Sequence, residues 1–203
     1  MAAARTVAIV PTCGQSARMG RPKLALPLGN RSVIEHVVAA LLAGGVETVL
    51  IVLGPHVPEL EPLARAAGAD VLALDHATPD MRATVVAGLN HLETVVELAP
   101  DDWWVLAPGD HPVLNAEVVR ALLAAASSGY SVVAPVHDGR RGHPTLLRWS
   151  LADAVRVLPT GSGINRLLRD PAVRTLEVPV ADAGVLTDLD TPDDYERLLR
   201  GEH

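Results

Sequence analysis

Apolar positions along this chain follow two rhythms. Nearly unbroken apolar runs of strand length occur at "TVAIV" (6–10), "TVLIVL" (48–53), "DVLAL" (70–74), "WWVLA" (103–107) and "SVVAPV" (131–136). Between them apolar residues step by three and four. Val33, Val37, Val38, Leu41 and Leu42 share one helical face, as do Val85, Val86, Leu89 and Leu92, and then Val118, Val119, Leu122 and Leu123. Continuous apolar strands alternating with helices predict a parallel sheet covered on both faces. Past residue 136 the rhythm changes. "GRRGHPTLL" predicts a turn into a short strand, followed by helices over 150–157 and 162–169, a strand over 174–178 and a terminal helix. No linker, repeat or low-complexity segment interrupts the pattern. The expectation is a single domain over residues 1–203 with a three-layer α/β/α architecture and a mostly parallel central sheet.

Open parallel sheets bind ligands outside the carboxyl ends of their strands. That rule selects three stretches: the Gly14–Lys23 loop, the turn at 108–112 and the segment 188–194.

Composition narrows the ligand. An apolar fraction of 49% is ample for a core, but with no Phe, three Trp and two Tyr that core is built from Ala, Val and Leu. A formal charge of −7 argues against a nucleic-acid partner, because no basic stripe is available to neutralise many phosphates. A small anion remains open, since a local cationic cluster can oppose the global sign. Cys13 is the single cysteine, which excludes an intrachain disulfide and a multi-cysteine metal site; no paired His accompanies it to suggest a nucleophile. The first apolar run stops at Pro11, too short for a signal sequence, and no stretch reaches the length of a membrane span. A soluble cytoplasmic protein is expected.

"PTCGQSARMGRPK" (11–23) leaves the first strand with two glycines, two arginines and Lys23, the one lysine in a chain with sixteen arginines. The loop reads either as a phosphate cradle of backbone amides or as a solvated basic turn. It fits neither the Walker A pattern nor the dinucleotide fingerprint. The lysine favours the cradle. A compact ammonium enters between phosphate oxygens where a planar guanidinium does not.

The carboxylates read separately. Asp110 follows "WWVLAPG" and belongs at the carboxyl edge of a central strand, as a metal ligand or as a turn residue ahead of Pro112. Asp101 and Asp102 read as the solvated turn before that strand. In "LTDLDTPDD", Thr191, Pro192 and Asp194 predict N-cap, N1 and N3 of the last helix, and Asp193 and Asp194 suit its dipole. Asp188 and Asp190 lie two apart in an extended segment, so their side chains share a face. Thr78 and Pro79 read as the cap of the helix carrying Arg82 and Thr84, which either contact a ligand or decorate the first turn. His36 and His56 fall on helix-like segments as surface residues, and Trp103 and Trp104 suit sheet packing.

"GQSARMGRPK" resembles the GxSxRMGxxK signature of the MobA-like nucleotidyltransferases, nearest to molybdenum cofactor cytidylyltransferases. "PGDHP" is similar to that family's GDQP, "RGHP" to its GHP and "DLDTPDD" to its DIDTPED, all in order along nearly the whole chain. The resemblance implies a Rossmann-like fold of the nucleotide-diphospho-sugar transferase type. It also implies Mg²⁺-dependent transfer of a nucleotidyl group from an NTP, CTP being favoured, to a phosphorylated acceptor such as molybdopterin. Carried onto this sequence, it assigns catalysis to Arg18 and Lys23, and nucleotide binding to Thr12, Cys13, Gly14, Gln15, Ser16, Gly20, Arg82, Thr84 and Gly109. It assigns acceptor binding to Arg141, Gly142, His143 and Pro144, and metal binding to Asp110 with Asp188 or Asp190.

The sequence departs from that pattern at three places. "PTCG" replaces LAAG, "DMRAT" replaces a serine-rich stretch, and His111 replaces the usual Gln. These leave open a sugar 1-phosphate or methylerythritol phosphate acceptor, and a non-catalytic nucleotide-binding role toward a molybdoenzyme. Contact with a molybdoenzyme or a second copy of the chain is the partner expectation.

Overall fold

A computed structural model describes residues 4–14, 19–127 and 129–202. Its strands are β1 (Thr6–Pro11), β2 (Pro27–Leu28), β3 (Arg31–Ser32), β4 (Thr48–Leu53), β5 (Asp70–Ala73), β6 (Trp103–Leu106), β7 (Val132–His137), β8 (Arg140–Arg141), β9 (Thr145–Arg148) and β10 (Thr175–Pro179). The α-helices are α1 (Val33–Ala43), α2 (Leu60–Ala66), α3 (Met81–Val95), α4 (Ala116–Ala125), α5 (Ala152–Arg156) and α6 (Pro192–Leu199). One central sheet runs in the order β10-β7-β9-β6-β1-β4-β5, with β8 beside β7, while β2 and β3 form a separate hairpin. The pairs β5/β4, β4/β1, β1/β6 and β7/β10 are parallel. β9 is antiparallel to both β6 and β7, so the sheet is mostly parallel, as expected.

The two faces of the sheet follow from alternation along each strand. β1 sends Ala8 and Val10 into one core with α1, α2, α4 and α6, and Val7 and Ile9 into a second core with α3 and α5. β4 divides in the same way, Val49, Ile51 and Leu53 against Leu50 and Val52. Trp103 and Trp104 part to opposite faces, each fully packed. α3 approaches the sheet closely because Gly88 faces it. A Cβ there would fall 3.0 Å from both Ile9 Cγ2 and Val52 Cγ2. Among the described residues no helix is long and apolar enough to cross a membrane.

Connectivity places the ligand crevice. From β1 the chain moves outward through α1 to β4 and β5, then returns over α3 to β6 on the other side of β1. The carboxyl ends of β1 and β6 therefore flank a topological switch point, where departing loops leave a gap.

Several local expectations change. The helix expected over 162–169 is a 3₁₀ helix at Ile164–Arg169, its start delayed by Gly161 at φ 79° and an extended Gly163. His56 lies in a turn, because Pro58 disfavours helix before it and α2 begins only at Leu60. Asp102 is buried rather than solvated, accepting from the amides of Arg5 (2.8 Å) and Ala99 (2.7 Å). Asp80, not Thr78 or Pro79, caps α3 by accepting from Ala83 N at 2.7 Å, while the Thr78 hydroxyl pairs with Thr84 Oγ1.

The last helix starts as its sequence predicts. Thr191 and Asp194 form a reciprocal capping box with Pro192 at N1. The Asp194 carboxylate accepts from Thr191 Oγ1 (2.7 Å), Thr191 N (2.8 Å) and Asp190 N (3.2 Å). The Thr191 hydrogen bond leads in lowering the Asp194 pKa from 3.8 to about 2. A carboxylate with a depressed native pKa contributes stability that is full above its unfolded value and lost as pH falls toward the native one. Asp194→Ala is expected to lose about 1 kcal/mol near pH 7. Its deficit against wild type in urea-unfolding midpoints should shrink as pH drops from 3.8 toward 2.

Candidate active site

Three stretches that are remote in sequence meet at the switch point. At the end of β1, Thr12 bonds the Val52 carbonyl twice, through its amide (3.0 Å) and its hydroxyl (2.8 Å). This fixes the direction in which Cys13 and Gly14 leave the sheet. The chain comes back past Gly20, whose φ of 66° is left-handed, into a 3₁₀ turn at Lys23–Ala25 seated by the buried Leu24. From β6, Pro108 and Gly109 carry Asp110 to the same place. The segment before α6 is docked there by Leu189, whose amide donates to the Asp110 carbonyl at 2.9 Å.

Lys23 closes the assembly. Its Nζ donates to Asp110 Oδ2 at 2.6 Å and to Asp190 Oδ1 at 2.9 Å. The lysine side chain is 13% exposed, against 27% and 34% for the two aspartates. Burial opposes its charge, but the field and hydrogen bonds of Asp110 and Asp190 outweigh that cost and raise its pKa above the usual 10.5. The ammonium is therefore permanent in the working range.

These groups border a cleft of about 550 Å³ lined by residues 11–14, 77–81 and 108–110, with Lys23, Leu24, Thr84 and Asp190. That volume is in the range of small-molecule sites. The far wall is set by Asp80. Its second carboxylate oxygen accepts from Gly161 N at 2.8 Å, and these amide bonds, Ala83 foremost, hold its pKa below the usual carboxylate value.

Next to Asp110 lies a second polar group. His111 is 5% exposed and its Nε2 sits 2.5 Å from Asp188 Oδ1. The His111 ring stands edge-on to His143, centroids 5.3 Å apart at 78°. The hydrogen bond from His111 leads in lowering the Asp188 pKa. Burial, reinforced by neighbouring His111, pushes His143 down to about 4, so it is neutral near pH 7. Gly142 lets this loop press on the segment before α6: a Cβ there would lie 2.3 Å from the Val185 carbonyl oxygen.

The site residues expected from sequence distribute as follows. Thr12, Cys13, Gly14, Lys23, Thr84, Gly109, Asp110 and Asp190 border one cleft. Gly20 lies on the returning arm of the loop. Gln15, Ser16 and Arg18 lie outside the described residues. Arg82 turns toward α5, donating to the Arg156 carbonyl at 3.3 Å, and does not line the cleft. Asp188 faces His111 and Asp190 faces Lys23, so the two aspartates expected on one face take different partners. Arg141 pairs with Glu177 at 2.6 Å on the surface, while Pro144 is buried beside His143. The His111–Asp188 contact was missed by sequence reasoning. Its one signal was His111 standing where glutamine is usual.

Residues 8–178 match the family model described as the MobA-like NTP transferase domain. Nicotine blue oxidoreductase from Paenarthrobacter nicotinovorans is 26% identical over 199 residues, covering 94% of this chain and 95% of its own. Molybdenum cofactor cytidylyltransferase from Escherichia coli strain K12 is 25% identical over 188 residues, 92% of each chain. Among solved structures, the homolog of Mycobacterium tuberculosis Rv0371c from Mycobacterium sp. strain JC1 superposes with a TM-score of 0.81. It is 27% identical, over 98% of this chain and 96% of that one.

A test of the site's electrostatics follows from His143. Its native pKa of about 4 lies below the ordinary 6.5, so the unfolded chain binds the proton first as pH falls. Stability is therefore expected to decline as pH is lowered from 6.5 to 4. In His143→Asn the slope of urea midpoint against pH across that window should be shallower than in wild type.

Proposed function

The chain belongs to the MobA-like NTP transferase family and is a nucleotidyltransferase, and from that premise we propose that it transfers the cytidylyl group of CTP to the phosphate of molybdopterin. The observation that carries the reading is the single ammonium of Lys23 held by Asp110 and Asp190 at one end of a nucleotide-sized cleft. Support for CTP and for a molybdopterin acceptor comes from the Escherichia coli relative, which matches over nearly the full length of both chains.

Asp110 and Asp190 suit Mg²⁺. The ion prefers one or two carboxylates, with water and substrate phosphates completing its octahedron. The oxygens of both residues already converge on one cation, Lys23 Nζ, at 2.6 and 2.9 Å. When bound, Mg²⁺ would neutralise phosphate oxygens of the triphosphate and favour departure of pyrophosphate.

The chain's own groups do the rest by position and charge. The acceptor phosphate is ionised at neutral pH, so its oxygen attacks the α-phosphorus without a strong general base. A bond forms from that oxygen to the α-phosphorus as the bond to the bridging oxygen breaks, in line. Gly14 and the adjoining amides cradle the leaving phosphates, and Arg18 and Lys23 balance the charge that accumulates on pyrophosphate. Thr12 holds the base of the loop through its two bonds to Val52. His143, Gly142 and Pro144 border the acceptor side, with Arg141 supplying charge nearby.

Pyrophosphate release tests the reading, with CTP, GTP, ATP and UTP each offered with and without molybdopterin. CTP with molybdopterin and Mg²⁺ is expected to give pyrophosphate, and chelation of the metal to stop it. Release with methylerythritol phosphate or a sugar 1-phosphate, and none with molybdopterin, would reassign the acceptor. One relative of nearly equal length carries the name of an oxidoreductase, so silence across the whole panel would sink the proposal.

The place of Lys23 is tested by Lys23→Arg, which keeps charge but substitutes a planar fork for a point. Turnover should fall by about a hundredfold, about 2.7 kcal/mol in the barrier and the low end of the cost of losing a charge stabiliser outright, since the charge stays but is misplaced; the KM for CTP should change less than threefold. Near-normal turnover would remove the shape requirement.

A further inference from the structure

We propose that His111 is a positioning residue that withdraws Asp188 from the Lys23 site and so keeps that site to two carboxylates. The inference rests on the reading of Asp110 and Asp190 as the metal-facing pair. Asp188 and Asp190 stand two apart, a spacing that in extended backbone turns both side chains to one side. The structure separates them all the same. Asp190 Oδ1 is 2.9 Å from Lys23 Nζ, and Asp188 Oδ1 is 2.5 Å from His111 Nε2.

The backbone on either side of Asp188 is pinned, which leaves the decision to its side chain. Upstream, the Val185 carbonyl accepts from His143 N at 2.8 Å; downstream, Leu189 N donates to the Asp110 carbonyl at 2.9 Å. His111 is equally fixed. It is 5% exposed, it stands edge-on to His143, and its own carbonyl accepts from Leu114 N at 3.1 Å. A rigid N–H donor is thus aimed at one oxygen of a carboxylate that is itself within the field of Lys23.

Remove the donor and Asp188 is free to turn toward Lys23, whose field already reaches it. A third carboxylate at the Lys23 site adds an oxygen donor for a divalent ion and a negative charge toward a triphosphate. Metal affinity of the nucleotide-free protein should rise while nucleotide binding weakens. A residue that only filled space would, when truncated, loosen both.

The test uses Mn²⁺ as probe, with free ion followed by electron paramagnetic resonance on the nucleotide-free full chain, and the KM for CTP measured in parallel. His111→Ala is expected to bind Mn²⁺ about tenfold tighter and to raise the KM by about tenfold, the scale typical of groups that orient metal ligands. His111→Gln, which retains an N–H donor, should stay near wild type. The double variant His111→Ala with Asp188→Ala should return to near wild-type Mn²⁺ affinity, because the competing carboxylate is gone. Weaker or unchanged Mn²⁺ binding in His111→Ala overturns the inference, as does a double variant that stays tight. Wild type that binds no Mn²⁺ overturns the metal reading of Asp110 and Asp190, and this inference with it.

Discussion

One ammonium shared by two carboxylates organises the catalytic end of this molecule. Lys23 lies 87 residues from Asp110 and 167 from Asp190, yet its Nζ is within 2.9 Å of an oxygen of each. With exposures between 13% and 34%, these charges are shielded enough to interact strongly and open enough to meet a ligand. Loss of the lysine would remove the cation that lies between two adjacent, partly buried carboxylates, a costly change when the cation is simply deleted. The same trio thus stabilises the meeting of three chain segments and presents charge to the cleft.

The sheet makes that meeting possible. β1 and β6 are parallel neighbours whose connections depart in opposite directions, so the loops after them part and leave a crevice. Both cores grip these strands through alternate residues, which holds Thr12 and Gly109 in fixed relation. The segment leading to α6 is then set by its own cap. The carboxylate that closes the helix at Thr191 also accepts from the amide of Asp190, so the residue facing Lys23 is oriented by the structure beginning just after it.

The departures from the family's usual motifs cluster around this frame. "PTCG" places a threonine whose hydroxyl satisfies the Val52 carbonyl, a bond that alanine lacks. His111, in place of glutamine, meets Asp188, while Asp190 and Asp110 face the lysine. "DMRAT" brings Asp80, which caps α3 and accepts from the amide of Gly161. Each change inserts a local polar bond and leaves the Lys23 trio intact.

Much of this was legible in the chain alone. The five apolar runs became β1, β4, β5, β6 and β7, and the capping box at Thr191 formed as written, because periodicity and capping depend on residues a few positions apart. The loops carrying Lys23, Asp110 and Asp190 were likewise marked by their place after strands and by motif resemblance. Tertiary structure alone decided that Asp188 and Asp190 part company, that Asp102 is buried and satisfied, and that Arg82 turns to α5. In each case the deciding partner comes from a distant segment, and the energy of a buried charge or hydrogen bond depends on that partner's position in space, which local pattern does not contain.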